Sequence, residues 1–392
     1  MVNKTLSQTI LSGWQMKQIK DLLSYERPDK YIVESEKYIN NGTPVLTANK
    51  SFILGYTDEK DGIYNDVPAI IFDDFTTDSK FVDFSFKVKS SAIKILKERN
   101  NQTDIRFIYE KMKSINFPTG SHKRYYISQY QNMEVVVPPL PEQKKIAEIL
   151  GTVDDEIRKT DEVIVATEKL KRGLMQQLFT RGIGHTKFKK TEIGEIPEGW
   201  IISKLSEVAK VERGKFSHRP RNAPEFYGGD IPFIQTGDVV DSNGKISSYT
   251  QTLNEKGLSV SKLFRKGTIV ITIAANIGDT GILQFDSCFP DSLVGITPSE
   301  KIDAVFLEYY LRTKKEYLNS ISTQSAQKNI NLEKLNPLLV VLPAKDEQQK
   351  IAEIMSSIDE KISINQKLKG RLTFLKKGLM QDLLSGRVRA NI

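Results

Sequence analysis

Apolar residues recur every three or four positions along two long stretches of this chain. In the first, Ile146, Leu150, Val153, Ile157, Ile164, Leu174 and Leu178 share one face; in the second, Ile351, Met355, Ile358, Ile362, Leu372, Leu379 and Leu383 do. Each stripe runs for roughly 39 residues, against about 11–12 in an ordinary helix. At 1.5 Å per residue each predicts a helix about 58 Å long. Pro141 suits the start of the first, and Gly182 and Gly184 suit its end. Thr160, Thr167, Lys369 and Lys376 interrupt the seams, so these are amphipathic helices rather than ideal zippers.

The two stretches are one phrase written twice. "EQKKIAEIL" (142–150) and "EQQKIAEIM" (347–355) align, and the register carries without a gap to "KRGLMQQL" (171–178) over "KKGLMQDL" (376–383). It extends backwards through Pro138 and Pro343 to "GSHKRYYIS" (120–128) over "SAQKNINLE" (325–333), and Gly13-Trp14 echoes Gly199-Trp200. Two such helices bury their stripes most simply against each other, as an antiparallel pair with a pseudo-twofold internal repeat. The expected product is a stiff rod acting as a ruler, with one variable block at each end.

Between the helical stretches the pattern changes to short β-rich runs punctuated by Gly, Asn and Asp. "PVLTA" (44–48), "VPAIIFD" (67–73) and "FVDFSFKV" (81–88) mark the first block; "IPFIQT" (231–236), "GTIVITIA" (267–274) and "DSLVGI" (291–296) mark the second. Each block closes with a helix, near 104–115 and 303–319, and a strand leading into the long helix. The expected class is therefore α+β. The expected order is a first domain over 1–139, helical region 140–184, a second domain over 185–343 and helical region 344–392.

Composition narrows the partners. The chain has 392 residues, a net charge of +8 and 39% hydrophobic residues. The basic excess favours phosphate backbones or acidic surfaces, though many basic proteins touch no nucleic acid. No apolar run approaches the roughly 20 residues that span a bilayer, and no signal-peptide block opens the chain, so a cytoplasmic protein with no membrane association is expected. A single cysteine, Cys288, excludes an internal disulfide.

Basic, aromatic and amide residues cluster in the loops. One cluster holds Lys123, Arg124, Tyr125 and Tyr126; a second holds Arg213, Lys215, His218, Arg219 and Arg221; a third holds Gln327, Lys328 and Asn329. Amides can pair with adenine and cations with phosphate or guanine, so these twelve residues are the candidate contacts to double-stranded DNA. A solvated charged loop explains any one cluster as well; their shared place in the repeat favours DNA. No catalytic or metal-binding residue is expected. There is no phosphate-binding glycine loop, His122, His185 and His218 lack ligand spacing, and "AANIGDTG" (274–281) has the wrong glycine spacing for a dinucleotide site. Pro28-Asp29 with Asp58-Glu59-Lys60 mimics a nuclease string, of a kind that arises by chance in a lysine-rich chain.

"PPLPEQKKIAEIL", "KRGLMQQLFTRG", "IPEGW" (196–200), "EQQKIAEIM" and "KKGLMQDLLSGRV" together resemble the specificity (S) subunits of type I restriction-modification systems, in the same order along the whole chain. The resemblance implies two target-recognition domains, an asymmetric bipartite DNA site and no catalysis by this subunit. It also implies two modification subunits that carry S-adenosylmethionine and methylate adenine, with motor-nuclease subunits completing a restriction complex. The first block departs from the pattern: no proline precedes Gly13-Trp14, and the amides matching Gln327 and Asn329 are missing. The repeated helical signals make Lys145, Leu174, Lys350 and Leu379 the candidate partner contacts. A solitary nuclease or methyltransferase, and a scaffold joining two protein-binding domains, are the rival readings. Activity of the chain alone would favour the first, and absence of salt-dependent DNA affinity the second.

Overall fold

The structure, a computed structural model, describes residues 11–49, 51–120, 123–274, 276–322 and 329–391. Two long helices occupy Leu140–Arg181 and Lys345–Ser385, 42 and 41 residues. The chain divides into two compact units, and each helix contributes one half to each: residues up to 162 and from 366 form the first unit, 163–365 the second.

In the first unit the opening of the first long helix lies against the closing turns of the second. Ile146, Ala147 and Leu150 share a core with Leu383 and Leu384. A four-stranded sheet, ordered Leu23–Glu26, Ile93–Glu98, Ala69–Asp73, Ser79–Val82, is antiparallel throughout. Strand Ala69–Asp73 is buried along its whole length, as its unbroken apolar run requires. Beside it stand a three-stranded sheet and the pair Gln15–Gln18 with Glu134–Val137, which leads into the long helix. Helix Ile105–Lys113 begins at Asp104, whose Oδ1 accepts from Phe107 N at 2.8 Å.

The second unit repeats this plan. Strands Ala209–Arg213, Leu293–Pro298, Ile269–Thr272 and Thr280–Leu283 stand in the same antiparallel order, with Gly244–Ile246 added at the edge. A second sheet of four strands lies around Tyr227–Phe233. Strand pair Ile201–Lys204 with Leu339–Leu342 leads into the second long helix. Helix Ala304–Thr313 is capped by Asp303 as its counterpart is by Asp104. Leu178 and Phe179, closing the first long helix, pack with Ile351, Ala352 and Met355, opening the second. Opening turns meet closing turns in both units, so the helices run antiparallel, and the α+β class, the two blocks and the internal repeat all follow the sequence pattern. Among the described residues no helix is long and apolar enough to cross a membrane.

Candidate nucleic-acid interface and helix junctions

The repeated Glu-Gln pair holds each block to its helix. Gln143 accepts from Asp104 N at 2.9 Å and donates to the carbonyls of Gln102 (3.2 Å) and Pro138 (2.9 Å). Gln348 makes the same three bonds, from Asp303 N (2.7 Å) and to Lys301 (3.2 Å) and Pro343 (2.9 Å). Beside it, Glu142 accepts from Trp14 Nε1 at 3.2 Å and from Arg389 in a bidentate pair at 2.7 and 2.8 Å. Glu347 accepts from Trp200 Nε1 at 3.0 Å, Ile183 N at 2.9 Å and the His185 ring at 2.9 Å. The two Gly-Trp echoes thus exist to place an indole donor on a nearly buried carboxylate. Gly182, at φ 64° just past the first long helix, has no room for a side chain, since a Cβ there would stand 2.5 Å from Glu347 Oε1.

About three helical turns further along, each unit contains a charge network. Lys376, which breaks the apolar stripe in sequence, is buried and donates to both Asp154 oxygens at 2.7 Å and to Glu110 Oε1 at 3.1 Å. Burial pushes the Glu110 carboxyl above its usual range, with Lys113 and Lys376 acting against the rise. Burial also opposes the charge on Lys376, but Asp154 and Glu110 outweigh it and hold that ammonium protonated. The second unit places Lys171 and Asp359, the repeat partners of Lys376 and Asp154, 2.5 Å apart. There Arg312 binds buried Glu308 at 2.6 Å and Tyr309 donates to Asp359 at 2.7 Å.

The candidate DNA contacts divide by burial. Lys123 and Arg124 face solvent. Tyr125 and Tyr126 do not: their rings are 4% and 1% exposed and pack on Phe117, Phe72 and Tyr25, so the expectation that this pair lies on the surface is corrected. Tyr125 N donates to Asp74 O, and Tyr126 N to Asp74 Oδ1, which ties the segment to the hairpin between strands Ala69–Asp73 and Ser79–Val82. In the second unit Asn329 bridges to Ala274 at the equivalent hairpin, and Ile330 N donates to Ile273 O. The repeat therefore aligns positions that share one structural place. His122, Gln327 and Lys328 lie outside the described residues.

Arg213, Arg219 and Arg221 converge on Asp291, through its backbone oxygen at 2.6 Å, its Oδ2 at 3.4 Å and its Oδ1 respectively. Lys215 is exposed nearby, and the His218 ring stacks 4.2 Å from Phe226. A cleft of about 650 Å³ opens beside them, walled by Phe216, Tyr227 and Phe233 and rimmed by Arg221, Gln235 and Gln251. The Asp291 carboxylate draws on Arg219 and Arg221, while Arg213 is held by its backbone oxygen. Asp291→Asn should therefore strengthen non-specific duplex binding severalfold at low salt and steepen its salt dependence, as fluorescence anisotropy titrations at several salt concentrations would show. A weaker complex would mean that Asp291 orders the arginines rather than neutralises them.

The candidate partner contacts also divide. Among the described residues Lys145 and Lys350 pair within their own helices, with Glu148 (3.0 Å) and Asp346 (3.9 Å), and Lys350 is exposed. Leu174 and Leu379 instead pack inward against their units' cores, as members of the apolar stripe should, so neither is a free surface group. The exposed apolar residues of the helices lie elsewhere. Val163 and Leu170 in the second unit are 40% and 55% exposed; Leu368 and Leu375 in the first are 43% and 50% exposed, next to Phe374 at 81%. These pairs occupy matching repeat positions seven residues apart, off the buried stripe, a signal present in the alignment and overlooked. Glu59, of the nuclease-like string, is held by Lys87 at 2.7 Å and caps Ser35 N at 3.1 Å.

With this arrangement in view, the relatives are informative. The family model described as the type I restriction modification DNA specificity domain matches residues 11–164 and 197–373. The chain belongs to this family of type I restriction-modification specificity subunits, proteins of DNA sequence recognition. The specificity subunit of the Escherichia coli type I restriction enzyme EcoR124I/EcoR124II is 30% identical over 356 residues, 86% of this chain and 85% of the relative. A Methanocaldococcus jannaschii relative assigned to the MjaX type I restriction enzyme is 33% identical over 264 residues, 67% of this chain and 61% of its own length. The S subunit of a type I restriction-modification system from M. genitalium shares the fold over 97% of both chains, with a TM-score of 0.67 at 16% identity.

Proposed function

We propose that this subunit reads an asymmetric bipartite site in double-stranded DNA, one half with each unit, and is not itself catalytic. Its partners are two modification subunits that bring S-adenosylmethionine and methylate adenine; motor-nuclease subunits would complete a restriction complex. The observation that carries the reading is the duplicated junction: two units built on one plan, each with its own block, its own Glu-Gln anchor and its own exposed apolar pair. Equivalent frames favour two copies of one partner, while different loop chemistry in the two blocks favours different half-sites.

The test is methylation-site sequencing of DNA from cells that express the chain with its neighbouring subunits. A non-palindromic site with two specified halves is the expected result, and the purified chain alone should transfer no methyl group. Methyl transfer by the chain alone, or a palindromic site, would overturn the reading.

The exposed pairs supply a further expectation. Val163→Asp with Leu170→Asp, or Leu368→Asp with Leu375→Asp, should each reduce the bound modification subunits from two to one, measured by mass photometry or native mass spectrometry. All four changes together should remove both. Because these side chains already face water, the fold should tolerate the charge. Two subunits bound to the fourfold variant would exclude this face.

A further inference from the structure

The first unit carries a surface feature that the basic clusters did not include. Residues 73–78 form the tip of the hairpin between strands Ala69–Asp73 and Ser79–Val82. Its base is heavily fixed. Asp73 Oδ1 accepts from Phe75 N and Thr76 N, each at 2.9 Å. Buried Asp74 pairs with buried Lys94 at 3.2 Å and receives both tyrosine amides of the neighbouring segment. Thr77 holds φ 61°, a left-handed turn that closes the tip. On this base Phe75 stands 38% exposed, with the Arg124 guanidinium 5.6 Å from its ring centre.

That pairing has a specific chemistry. Stacking on the ring holds a guanidinium by its face and leaves its in-plane donors available. Among the described residues no carboxylate lies within ion-pair distance of Arg124, in contrast to Arg219 and Arg221 of the second unit. A two-stranded ribbon fits the major groove, where a thymine presents its methyl group and a guanine two acceptors matched to arginine. Lys123, exposed on the same segment, supplies charge for a flanking phosphate.

We propose that Phe75 and Arg124 are the base-reading pair of the first recognition block, Phe75 against a thymine methyl and Arg124 at a guanine edge of the same half-site. The proposal rests on the functional reading above and names residues for it. It accounts for the first block lacking the amides of the second. At the matching hairpin of the second unit, Asn276 is exposed and Asn329 is bridged to Ala274. One structural place thus carries an aromatic–arginine pair in one unit and amides in the other.

The test uses the full chain with its modification subunits in cells free of other adenine methylation, read by methylation-site sequencing. Phe75→Ala should relax one position of one half-site, lowering its base preference about tenfold or more. Arg124→Ala should relax a second position in the same half, and Phe75→Leu should keep most of the preference. The other half-site should not change. Thermal melting should match wild type, since both side chains are outside the core. An unchanged methylated site in both alanine variants, or a loss spread evenly over all positions, would overturn the proposal. Absence of bipartite methylation with the wild-type chain would instead remove the functional reading on which it stands.

Discussion

Lys376→Ala should destabilise the first unit by about 3 kcal/mol, the lower end for breaking a buried ion pair. Glu110 and Asp154 lose the cation they share and keep only the longer contacts of Lys113 (3.9 Å) and Arg106 (3.4 Å). Lys376 binds Asp154 and Glu110 at once, and its side chain is 8% exposed while that of Glu110 is fully buried. The deficit should depend on pH, and its sign follows from Glu110. Burial raises that carboxyl above its unfolded value, so the folded state holds the proton more tightly. Its contribution is therefore fully present below the unfolded value and is lost as pH rises through the folded one. Without Lys376 nothing offsets the burial except Lys113, so the rise should grow. The gap between wild type and Lys376→Ala should thus narrow as pH falls toward the ordinary glutamate range and widen toward neutrality. Chemical denaturation at a series of pH values would show this, and a gap independent of pH would place the loss in packing instead. Lys171→Ala should behave more mildly, because Arg312 remains to serve both Glu308 and Asp359.

These networks also show what the amino-acid pattern could and could not convey. Period and repetition disclosed the long helices and their antiparallel partnership, because a stripe of that length is too long for one small block to bury; the structure covers it with both the other helix and the blocks. Lys376 read as a flaw in the seam, although it is the residue that ties the seam to the block. Its partner Glu110 lies far away in sequence, and no local pattern announces a long-range ion pair. Tyr125 and Tyr126 misled for a related reason. Neighbouring lysine and arginine suggested an interface, yet a tyrosine ring packs in a core as readily as it contacts a base, and the turn that begins at Tyr126 sets both rings inward. Val163, Leu170, Leu368 and Leu375 were legible in principle, since the repeat aligns them. Periodicity alone does not single them out, because an apolar helix residue is ordinarily a buried one. Phe75 carried no signal beyond a turn; only the hairpin register brings Arg124 to its ring.

Lengthening both long helices by four residues, one insertion after Thr160 and one after Asn365, should lengthen the DNA spacer by one or two base pairs and leave both half-sites unchanged. The two positions are repeat equivalents and stand within a few residues of the division between the units, so both blocks and the Lys376 and Lys171 networks are left intact, and only the mid-helix pair of Asp161 with Lys369 is separated. Insertion in one helix alone would put the two helices out of register, so that the pairing of Lys376 with Asp154 and that of Lys171 with Asp359 could not both persist. Four helical residues add a rise of about 6 Å, close to two base pairs at about 3.4 Å each. Their net rotation beyond one full revolution is about 40°, close to the twist of one base pair at roughly 10 base pairs per turn. Rise and rotation therefore bracket the same small change. A seven-residue insert agrees less well, since its rise of about 10 Å asks for three base pairs while its rotation returns almost to the starting face. Variants with four- and seven-residue inserts, co-expressed with the modification subunits and read by methylation-site sequencing, should show a shifted spacer for the first and weak or absent methylation for the second. A spacer that stayed fixed while the bases of either half-site changed would mean that the helices do not set the distance, and the ruler would fail.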